Sequence, residues 1–217
     1  MARRGPTTSR ERAAWADQRL LIGVDEVGRG PLAGPVVAAA VAFPPDATRI
    51  QGIRDSKILS ATRRDALLSR IRERATLLGV GAASPKVIDR INIRRATALA
   101  MQRALSRALG MDCRSAPRLA GCVVLVDGLP FPELGVVHEA LVDGDALCYS
   151  IAAASIVAKI VRDRLMTRLA ARYPGYCWET NAGYGTADHL AAIDRLGPTP
   201  HHRQSFTPIG QLRLPLQ

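Results

Sequence analysis

The chain has 217 residues, of which 47% are hydrophobic and 23% are charged. This length is enough for one domain with a buried core, and the composition excludes a disordered protein. The 30 Lys and Arg residues outnumber the 19 Asp and Glu residues, and the resulting formal net charge of +11 at pH 7 favours a polyanionic partner such as nucleic acid or an acidic membrane face.

The start of the chain predicts a polar leader followed by a β-hairpin. Residues 1–18 are polar, rich in Arg and without periodicity, so we expect a flexible leader there. Two apolar runs follow at residues 20–24 and 36–43, separated by the turn-forming sequence GRGPLAG at residues 28–34. Runs of this length around such a turn are typical of two buried strands joined as a hairpin.

Helix caps and apolar runs predict the remaining elements. Ser60, Ser84 and Thr186 each precede a helical pattern as N-cap residues, and Gly110 and Gly197 end two of the patterns. Helices are predicted at residues 61–75, from residue 85, and at residues 94–109, 150–172 and 187–196; further strands are predicted at residues 77–83, 123–126 and 136–141. This alternation indicates the α/β fold class, with a mixed sheet flanked by helices and a small C-terminal helical extension, in a single domain over residues 19–217.

Membrane, secreted and zinc-binding proteins are disfavoured by the sequence. The apolar run at residues 36–43 is much shorter than the roughly 20 residues that a membrane-spanning helix needs. Residues 5–12 are polar where a secretion signal requires an apolar stretch. The four cysteines and four histidines are scattered, without the spacing of a disulfide framework or a zinc site. We therefore expect a cytoplasmic protein without membrane contact, whose thiols are buried or inert.

Two of the apolar runs end at acidic residues. Asp25 and Glu26 follow the first run, and Asp127 follows residues 123–126. Because functional groups in open α/β sheets collect beyond strand ends, neighbouring strands would bring these acids together, and a divalent cation such as Mg²⁺ or Mn²⁺ would neutralise their repulsion. The alternative interpretation is an ordinary turn at Asp127 and a solvated strand end at Asp25. A regular strand also directs Asp25 and Glu26 to opposite faces, so we expect either a bend or different roles for the two.

Three other polar motifs are weaker signals. The turn Gly28-Arg29-Gly30 exposes amides that can hold phosphate or sugar hydroxyls, but it is equally an ordinary turn. Ser56 and Lys57 offer a hydroxyl and an ammonium group ahead of a predicted helix, as a phosphate contact or a plain polar loop. Tyr184 stands between two glycines, where its ring either stacks on a sugar or base or is simply half-buried.

The segment DEVGRGPLAGPV at residues 25–36 resembles the opening signature of the type 2 ribonucleases H, in particular the bacterial ribonuclease HII family. Later blocks resemble further motifs of that family in the same order: Asp55-Ser56-Lys57, Ile91-Asn92-Ile93, Val126-Asp127-Gly128, residues 150–159 with Arg162-Asp163, Gly183-Tyr184-Gly185-Thr186, and Arg203 with Ser205-Phe206. The resemblance covers about residues 20–210 and implies a ribonuclease H-like fold.

The resemblance implies an endonuclease that hydrolyses the RNA strand of RNA–DNA hybrids and incises duplex DNA 5′ to a single embedded ribonucleotide. Such an enzyme acts in ribonucleotide removal from DNA and in RNA primer removal, and leaves 3′-hydroxyl and 5′-phosphate ends. Two Mn²⁺ or Mg²⁺ ions would activate the attacking water and stabilise the leaving oxygen. A non-catalytic duplex-binding protein and another two-metal nuclease, such as a resolvase, are the alternatives.

The resemblance also assigns roles to individual residues. The metal-binding acids are Asp25, Glu26 and Asp127, and the fourth catalytic acid is Asp145. Asp163, further along the predicted long helix, is the competing candidate for the fourth acid, and we expect it to pair with a basic neighbour instead. The predicted substrate contacts are Gly28, Arg29 and Gly30 at the ribose 2′-hydroxyl, Tyr184 against the sugar at the RNA–DNA junction, and Ser56 and Lys57 on the duplex backbone. We expect a monomer, and contact of the C-terminal tail with a sliding clamp is a further hypothesis.

Overall fold

The structure, a computed structural model, describes residues 5–53, 61–114 and 119–211 of the chain. Five strands form one mixed sheet: β1 (Leu20–Val27), β2 (Val36–Ala42), β3 (Leu77–Ala83), β4 (Cys122–Asp127) and β5 (Glu139–Leu141). Their order in space is β3-β2-β1-β4-β5. β2 is antiparallel to both β1 and β3, whereas β4 is parallel to both β1 and β5. The predicted hairpin and the predicted mixed sheet are confirmed.

Helices cover both faces of the sheet. In the described ranges they are α1 (Ser9–Ala16), α2 (Ala61–Arg74), α3 (Pro85–Leu109), α4 (Gly144–Leu147), α5 (Tyr149–Arg172), α6 (Trp178–Asn181) and α7 (Ala187–Leu196). Side chains of β1 alternate between two cores, because successive strand residues face opposite sides of a sheet. Ile22 and Val24 pack in the core that includes α3, whereas Leu21 packs with Ile151 of α5. The central strand is therefore buried on both sides.

Helix α5 lies directly against the central strand. Its first half is almost entirely small and apolar, and Ala152, Ala153 and Ala154 are fully buried. Gly23 of β1 is needed for this contact, since a Cβ at that position would lie only 2.3 Å from the backbone carbon of Ser150. The small residues thus bring the start of α5 beside the carboxyl ends of β1 and β4.

Helix α3 is interrupted at Asn92, where the sequence predicts two helices. Asn92 has φ 64° and ψ 165°, which breaks the helical backbone. Its side-chain oxygen accepts a hydrogen bond from the amide of Arg95 at 3.0 Å, so Asn92 caps the second helical segment. Ser84 caps the first segment through the amide of Val87, and Gly110 ends the second with φ 70°, as predicted. Ser60 lies outside the described residues.

The N-terminal segment differs from the prediction. We expected a flexible leader over residues 1–18, but residues 9–16 form helix α1. Glu11 of α1 is only 1% exposed, and its carboxylate accepts hydrogen bonds from the Ser150 amide at 2.7 Å and the Cys148 thiol at 3.2 Å. The backbone of Thr7 also bonds with Leu147 and Tyr149. This segment therefore binds to the junction between α4 and α5.

The C-terminal helices form the predicted extension around a small core of their own. Trp178, Tyr176, Ile193 and Ile209 are buried there together with Met166 of α5. Two short helices, α4 and α6, have no counterpart in the prediction, and the strand expected at residues 136–141 is limited to the three residues of β5. Across the part of the chain that the structure describes, no helix is both long and apolar enough to cross a membrane.

Candidate active site

The sheet brings two of the predicted acids to the ends of adjacent strands. β1 and β4 run parallel with Val24 paired to Val126, so Asp25 and Asp127 follow at neighbouring positions. Asp25 lies two residues beyond Gly23, which faces α5, and Asp127 lies two residues beyond Leu125, which packs with Ile151 of α5. Because strand residues alternate in direction, both carboxylates face the α5 side of the sheet.

Asp25 is a buried carboxylate close to other negative charges. Its residue is 6% exposed, and burial raises its pKa well above the ordinary value, with Glu26 and then Asp127 raising it further. A hydrogen bond from Ser155 of α5 acts in the opposite direction. The folded chain therefore holds Asp25 in a place that disfavours its charged form unless a cation lies nearby.

Glu26 has different surroundings from Asp25. β1 continues through Glu26 as a regular strand, with Glu26 opposite Ala38 of β2. Of the two alternatives expected from the sequence, a bend or different roles for the two acids, the bend is not observed. Its carboxylate lies 3.3 Å from the guanidinium of Arg29. Burial raises the pKa of Glu26, Arg29 lowers it and Asp127 raises it. Glu26 is therefore repelled by Asp127 and is at the same time paired with Arg29 of the predicted substrate loop.

Helix α4 carries the fourth predicted acid to the same end of the sheet. The amide of Gly144 donates a hydrogen bond of 2.7 Å to Asp127 Oδ1. Asp145 follows in the first turn of α4 and is 8% exposed. Hydrogen bonds with Thr7 and Glu11 of the N-terminal segment fix the C-terminal end of this short helix and the start of α5. Acids from β1, β4 and α4 therefore collect at one end of the sheet.

The chemistry of these acids fits a hard divalent cation. Carboxylate oxygens are the ligands that Mg²⁺ and Mn²⁺ prefer, and the mutual repulsion that raises the pKa of Asp25 is what a cation would relieve. Among the described residues, no group of three or more His, Cys, Asp or Glu side chains is already arranged around a metal position. The acids therefore lie at one end of the sheet without already forming a set of ligands around an ion.

Asp163 lies in a different environment from these acids. It accepts from Lys159 at 2.7 Å and pairs with Arg64 of α2 at 3.2 Å. These contacts agree with the expected pairing to basic neighbours and link α5 to α2. Ser56 and Lys57, the two predicted backbone contacts, lie outside the described residues.

The glycine loop, residues 28–35 between β1 and β2, is held on its buried side by two arginines. The guanidinium of Arg203 donates to the carbonyl oxygens of Gly28, Arg29 and Gly34 at 2.5 to 3.1 Å. The guanidinium of Arg162 donates to those of Ala33, Pro35 and Ala182 at 3.0 to 3.2 Å. Both arginines are fully buried, and burial lowers the pKa of each, for Arg203 to about 9 with Arg162 as an additional cause.

Sequence reasoning did not identify these two arginines as site residues. Arg162 occupies a buried stripe of α5 at helical spacing, together with Ile151, Ser155, Ala158 and Met166. A charged residue on a helical stripe of apolar and small residues indicates a buried partner for its charge. This pattern is the signal by which the sequence could have marked Arg162. Arg203 belongs to the last family-like block, but the pattern does not indicate that its partners are carbonyl groups.

Tyr184 lies beside the glycine loop. Its residue is 46% exposed, and a Cβ added at Gly30 would lie 3.9 Å from Tyr184 Cε1. The amides of Leu32 and Ala33 both donate to the carbonyl of Gly183, at 2.8 and 3.2 Å. The loop and the exposed ring therefore form one surface next to the acids.

A buried pair of histidines holds the backbone of Tyr184 from below. Thr199 donates its amide to His202 Nδ1, so His202 carries its proton on Nε2 and donates to His189 Nε2 at 3.1 Å. His189 then donates from Nδ1 to the carbonyl of Tyr184 at 2.8 Å. Trp178 also donates to His189 Nε2. Burial lowers the pKa of both rings, for His202 to about 4, and therefore favours their neutral forms.

Solved structures show the same fold. The ribonuclease H2 from Pyrococcus horikoshii OT3 superposes with a TM-score of 0.72 at 24% identity, covering 89% of this chain and 96% of that chain. The RNase HII of Archaeoglobus fulgidus, solved in a complex with PCNA, gives 0.69 at 24% identity, covering 86% and 95%. The Bst-RNase HIII in complex with Mn²⁺ gives 0.68 at 21% identity, covering 89% and 69%. The ribonuclease H-like fold expected from the sequence is confirmed.

Sequence comparisons are more specific than the fold. The family model for ribonuclease HII matches residues 22–209. Proteins named ribonuclease HII are similar over most of their length: the one from Sphingopyxis alaskensis is 54% identical over 195 residues, covering 90% of this chain and 92% of the relative, and the one from Synechococcus sp. (strain JA-3-3Ab) is 49% identical over 211 residues, covering 96% and 91%. The chain therefore belongs to the ribonuclease HII family, a family of metal-dependent endoribonucleases.

Proposed function

We propose that this chain hydrolyses the RNA strand of RNA–DNA hybrids and nicks duplex DNA on the 5′ side of a single embedded ribonucleotide. The observation that carries the proposal is the arrangement at the carboxyl ends of β1 and β4. Asp25 and Asp127 lie on adjacent strands there, and the glycine loop with Tyr184 lies next to them. The acids proposed to act in phosphodiester hydrolysis and the surface proposed to bind a sugar therefore belong to one site.

The acids are proposed to hold the metal ions. Asp25, Glu26 and Asp127 would provide the ligands, with Asp145 as the fourth catalytic acid, and Glu26 would exchange its contact with Arg29 for the ion. When bound, two Mn²⁺ or Mg²⁺ ions would neutralise the phosphoryl oxygens and activate a water molecule for in-line attack. The 3′ oxygen is then the leaving group, and the products carry 3′-hydroxyl and 5′-phosphate ends.

The glycine loop and Tyr184 are proposed to select ribose. Arg29 and Gly30 are exposed, whereas Gly28 beneath them is buried, so the loop presents its outer peptides to a ligand. A ribose differs from a deoxyribose only in the 2′-hydroxyl, which both donates and accepts hydrogen bonds. The Tyr184 ring would pack on the sugar at the RNA–DNA junction, while Ser56, Lys57 and surface arginines hold the duplex backbone without reading sequence.

Further expectations about assembly, location, role and partner belong to the same proposal. The enzyme would act as a monomer in the cytoplasm, in ribonucleotide removal from DNA and RNA primer removal. Its C-terminal tail would contact a sliding clamp, a hypothesis that the PCNA complex of the Archaeoglobus relative supports by analogy of fold. Residues 212–217 of this tail lie outside the described ranges.

The proposal is tested with four substrates: an RNA–DNA hybrid, a DNA duplex with one ribonucleotide, an all-DNA duplex as the control, and a branched DNA. We expect Mn²⁺- or Mg²⁺-dependent cleavage of the first two, with the nick 5′ to the ribonucleotide and no cleavage of the control. Binding without cleavage would instead indicate a duplex-binding protein, and preferential cleavage of branched DNA would indicate a resolvase.

The role of the ring is tested separately with Tyr184→Ala. We expect its rate at a single ribonucleotide to fall about tenfold, because base or sugar stacking on an aromatic ring contributes roughly 1–3 kcal/mol. Tyr184→Phe is the matched control, since it keeps the ring and should keep most of the rate. Equal rates for Tyr184→Ala and the wild type would remove the proposed role.

A further inference from the structure

We propose that Arg203 is a positioning residue for ribose recognition, because its guanidinium turns two peptide groups of the glycine loop so that the amides of Arg29 and Gly30 face the substrate. The inference rests on the proposed function, since it assigns the origin of ribose selection at the same site. Arg203 itself is fully buried and does not touch the substrate.

The first step is the direction of two carbonyl groups. Arg203 Nη2 lies 2.5 Å from the oxygen of Gly28, and Arg203 Nη1 lies 2.7 Å from the oxygen of Arg29. The same guanidinium reaches the oxygen of Gly34 with Nε and Nη2, at 3.1 and 2.9 Å. One planar group thus joins the two ends of the loop and draws two successive carbonyls inward.

The second step follows from the peptide bond. In a trans peptide the C=O and the following N–H point in opposite directions within one plane. Since the carbonyls of Gly28 and Arg29 point inward to Arg203, the amides of Arg29 and Gly30 point outward. In the described part of the chain neither amide donates to a protein acceptor, and both residues are exposed. Two successive outward amides form a site for an electron-rich oxygen, such as a hydroxyl or a phosphate.

The third step is the fixing of this loop beside the Tyr184 segment. Arg162 bonds the carbonyls of Ala33 and Pro35 in the loop and that of Ala182, two residues before Tyr184. Gly28 has φ +90°, and a Cβ there would lie 2.1 Å from Arg162 Nε, so only glycine allows the loop to rest on this guanidinium. The amides and the ring are therefore held at a fixed separation.

The chemistry of the side chain explains why arginine is needed at position 203. A guanidinium is planar and has five N–H donors in a fixed fork, which match several carbonyls at once. A lysine has the same charge but one nitrogen with three donors, which cannot reach the oxygens of Gly28, Arg29 and Gly34 in this geometry. Arg203→Lys therefore keeps the charge and removes the orientation of the peptides.

The test compares binding of two DNA duplexes, one with a single ribonucleotide and one without, in EDTA so that no cleavage occurs. For the wild type we expect tighter binding of the duplex that contains ribose. Arg203→Lys should lose about tenfold of this preference, while its affinity for the all-DNA duplex changes less than twofold, because phosphate contacts are independent of the loop amides.

A control variant separates orientation from general destabilisation. Ile71→Ala removes a fully buried side chain of α2, in the core between α2 and α5, away from the loop. Ile71→Ala should lower the melting temperature by about as much as Arg203→Lys does, and it should leave the preference for ribose unchanged. If Arg203→Lys keeps the wild-type preference, or if Ile71→Ala loses it equally, the inference is wrong.

A measurement on the wild type decides the question even if Arg203→Lys does not fold. In ¹H–¹⁵N NMR spectra, the amide signals of Arg29 and Gly30 should shift with the ribonucleotide duplex and shift less with the all-DNA duplex. Unchanged signals in a protein that cleaves at ribonucleotides would overturn the inference and leave the proposed function intact. A wild type that cleaves neither RNA-containing duplex would instead contradict the proposed function.

Discussion

The acid cluster and the arginine pair are neighbouring regions that bury charge in opposite ways. Asp25 is buried next to Glu26 and Asp127, and all of these influences raise its pKa. Arg162 and Arg203 are buried just as deeply, but carbonyl oxygens satisfy their guanidinium groups. The charge of these guanidinium groups is satisfied by carbonyl oxygens and supports the fold, whereas the acids, although they accept hydrogen bonds, are crowded by negative charge that a cation would relieve. The scaffold of this site and its chemistry can be told apart on this basis.

The largest expected effect comes from neutralising a charge in the acid cluster. Asp25→Asn and Asp127→Asn should each lower cleavage by about 10³-fold or more, since each removes a proposed metal ligand. The metal-free Asp25→Asn protein should be at least as stable as the wild type, because the change removes a buried carboxylate and its repulsion by Glu26 and Asp127. Cleavage kinetics and urea unfolding in EDTA measure the two effects. Near-normal turnover in either variant would contradict the metal assignment.

The opposite result is expected for the satisfied charge. Arg162→Leu should lower the free energy of unfolding by about 3 kcal/mol, because three carbonyl oxygens lose their donor in a buried place. Arg164→Leu is the matched control on the same helix, since Arg164 is exposed and pairs with Asp65 at 3.2 Å. Surface pairs of this kind contribute at most about 1 kcal/mol. Equal losses of stability for the two variants would show that the carbonyl contacts are not the source of the effect.

The sequence indicated the acid cluster and not the arginine pair, for a physical reason. Apolar runs that end in Asp25 and Asp127 show both the strand and the point where it leaves the sheet, and parallel pairing of β1 and β4 then brings the two acids together. The partners of Arg162 and Arg203 are backbone carbonyls, which every residue has, so no residue type marks them. Apart from the bond between Arg162 and Ala182, these contacts form only when segments more than 100 positions apart meet.

Helix α1 was missed for a related reason. Its sequence SRERAAWA is polar and Arg-rich, without an apolar face, and such a pattern is typical of a solvated leader. Its attachment comes from the buried carboxylate of Glu11 at the start of α5, from backbone bonds of the preceding Thr7, and from the small side chain of Ala14. The extents of β3 and α7, by contrast, agree with the prediction because caps, glycines and apolar runs all indicate the same boundaries.

The histidine pair is a third case, in which buried groups stay neutral. Burial lowers the pKa of His202 to about 4, with His189 as a further cause, while an unfolded histidine titrates near 6.5. The unfolded chain therefore binds more protons between these values, and stability is lost as the pH falls through this window. We expect the loss assigned to His202 to be on the order of 2–3 kcal/mol between pH 7 and pH 4.

NMR measurement of the His202 ring in the folded protein tests this directly. The ring should stay neutral, with the Nε2 proton, down to about pH 4.5, and unfolding experiments across the same range should show decreasing stability. Titration of the ring near pH 6.5 in the folded protein would mean that the bonds from Thr199 and to His189 do not hold its tautomer.

The smallest effect separates the two candidates for the fourth acid. Asp163 is already paired with Lys159 and Arg64, so its charge is satisfied like that of the arginines and should not take part in the reaction. Asp163→Asn should therefore change cleavage less than twofold. Asp145→Asn, in contrast, removes an acid beside Asp127 and should lower cleavage at least tenfold, with little change in duplex binding. The ratio of the two rates decides the assignment. A larger loss for Asp163→Asn than for Asp145→Asn would mean that pairing with basic neighbours does not exclude a carboxylate from the chemistry.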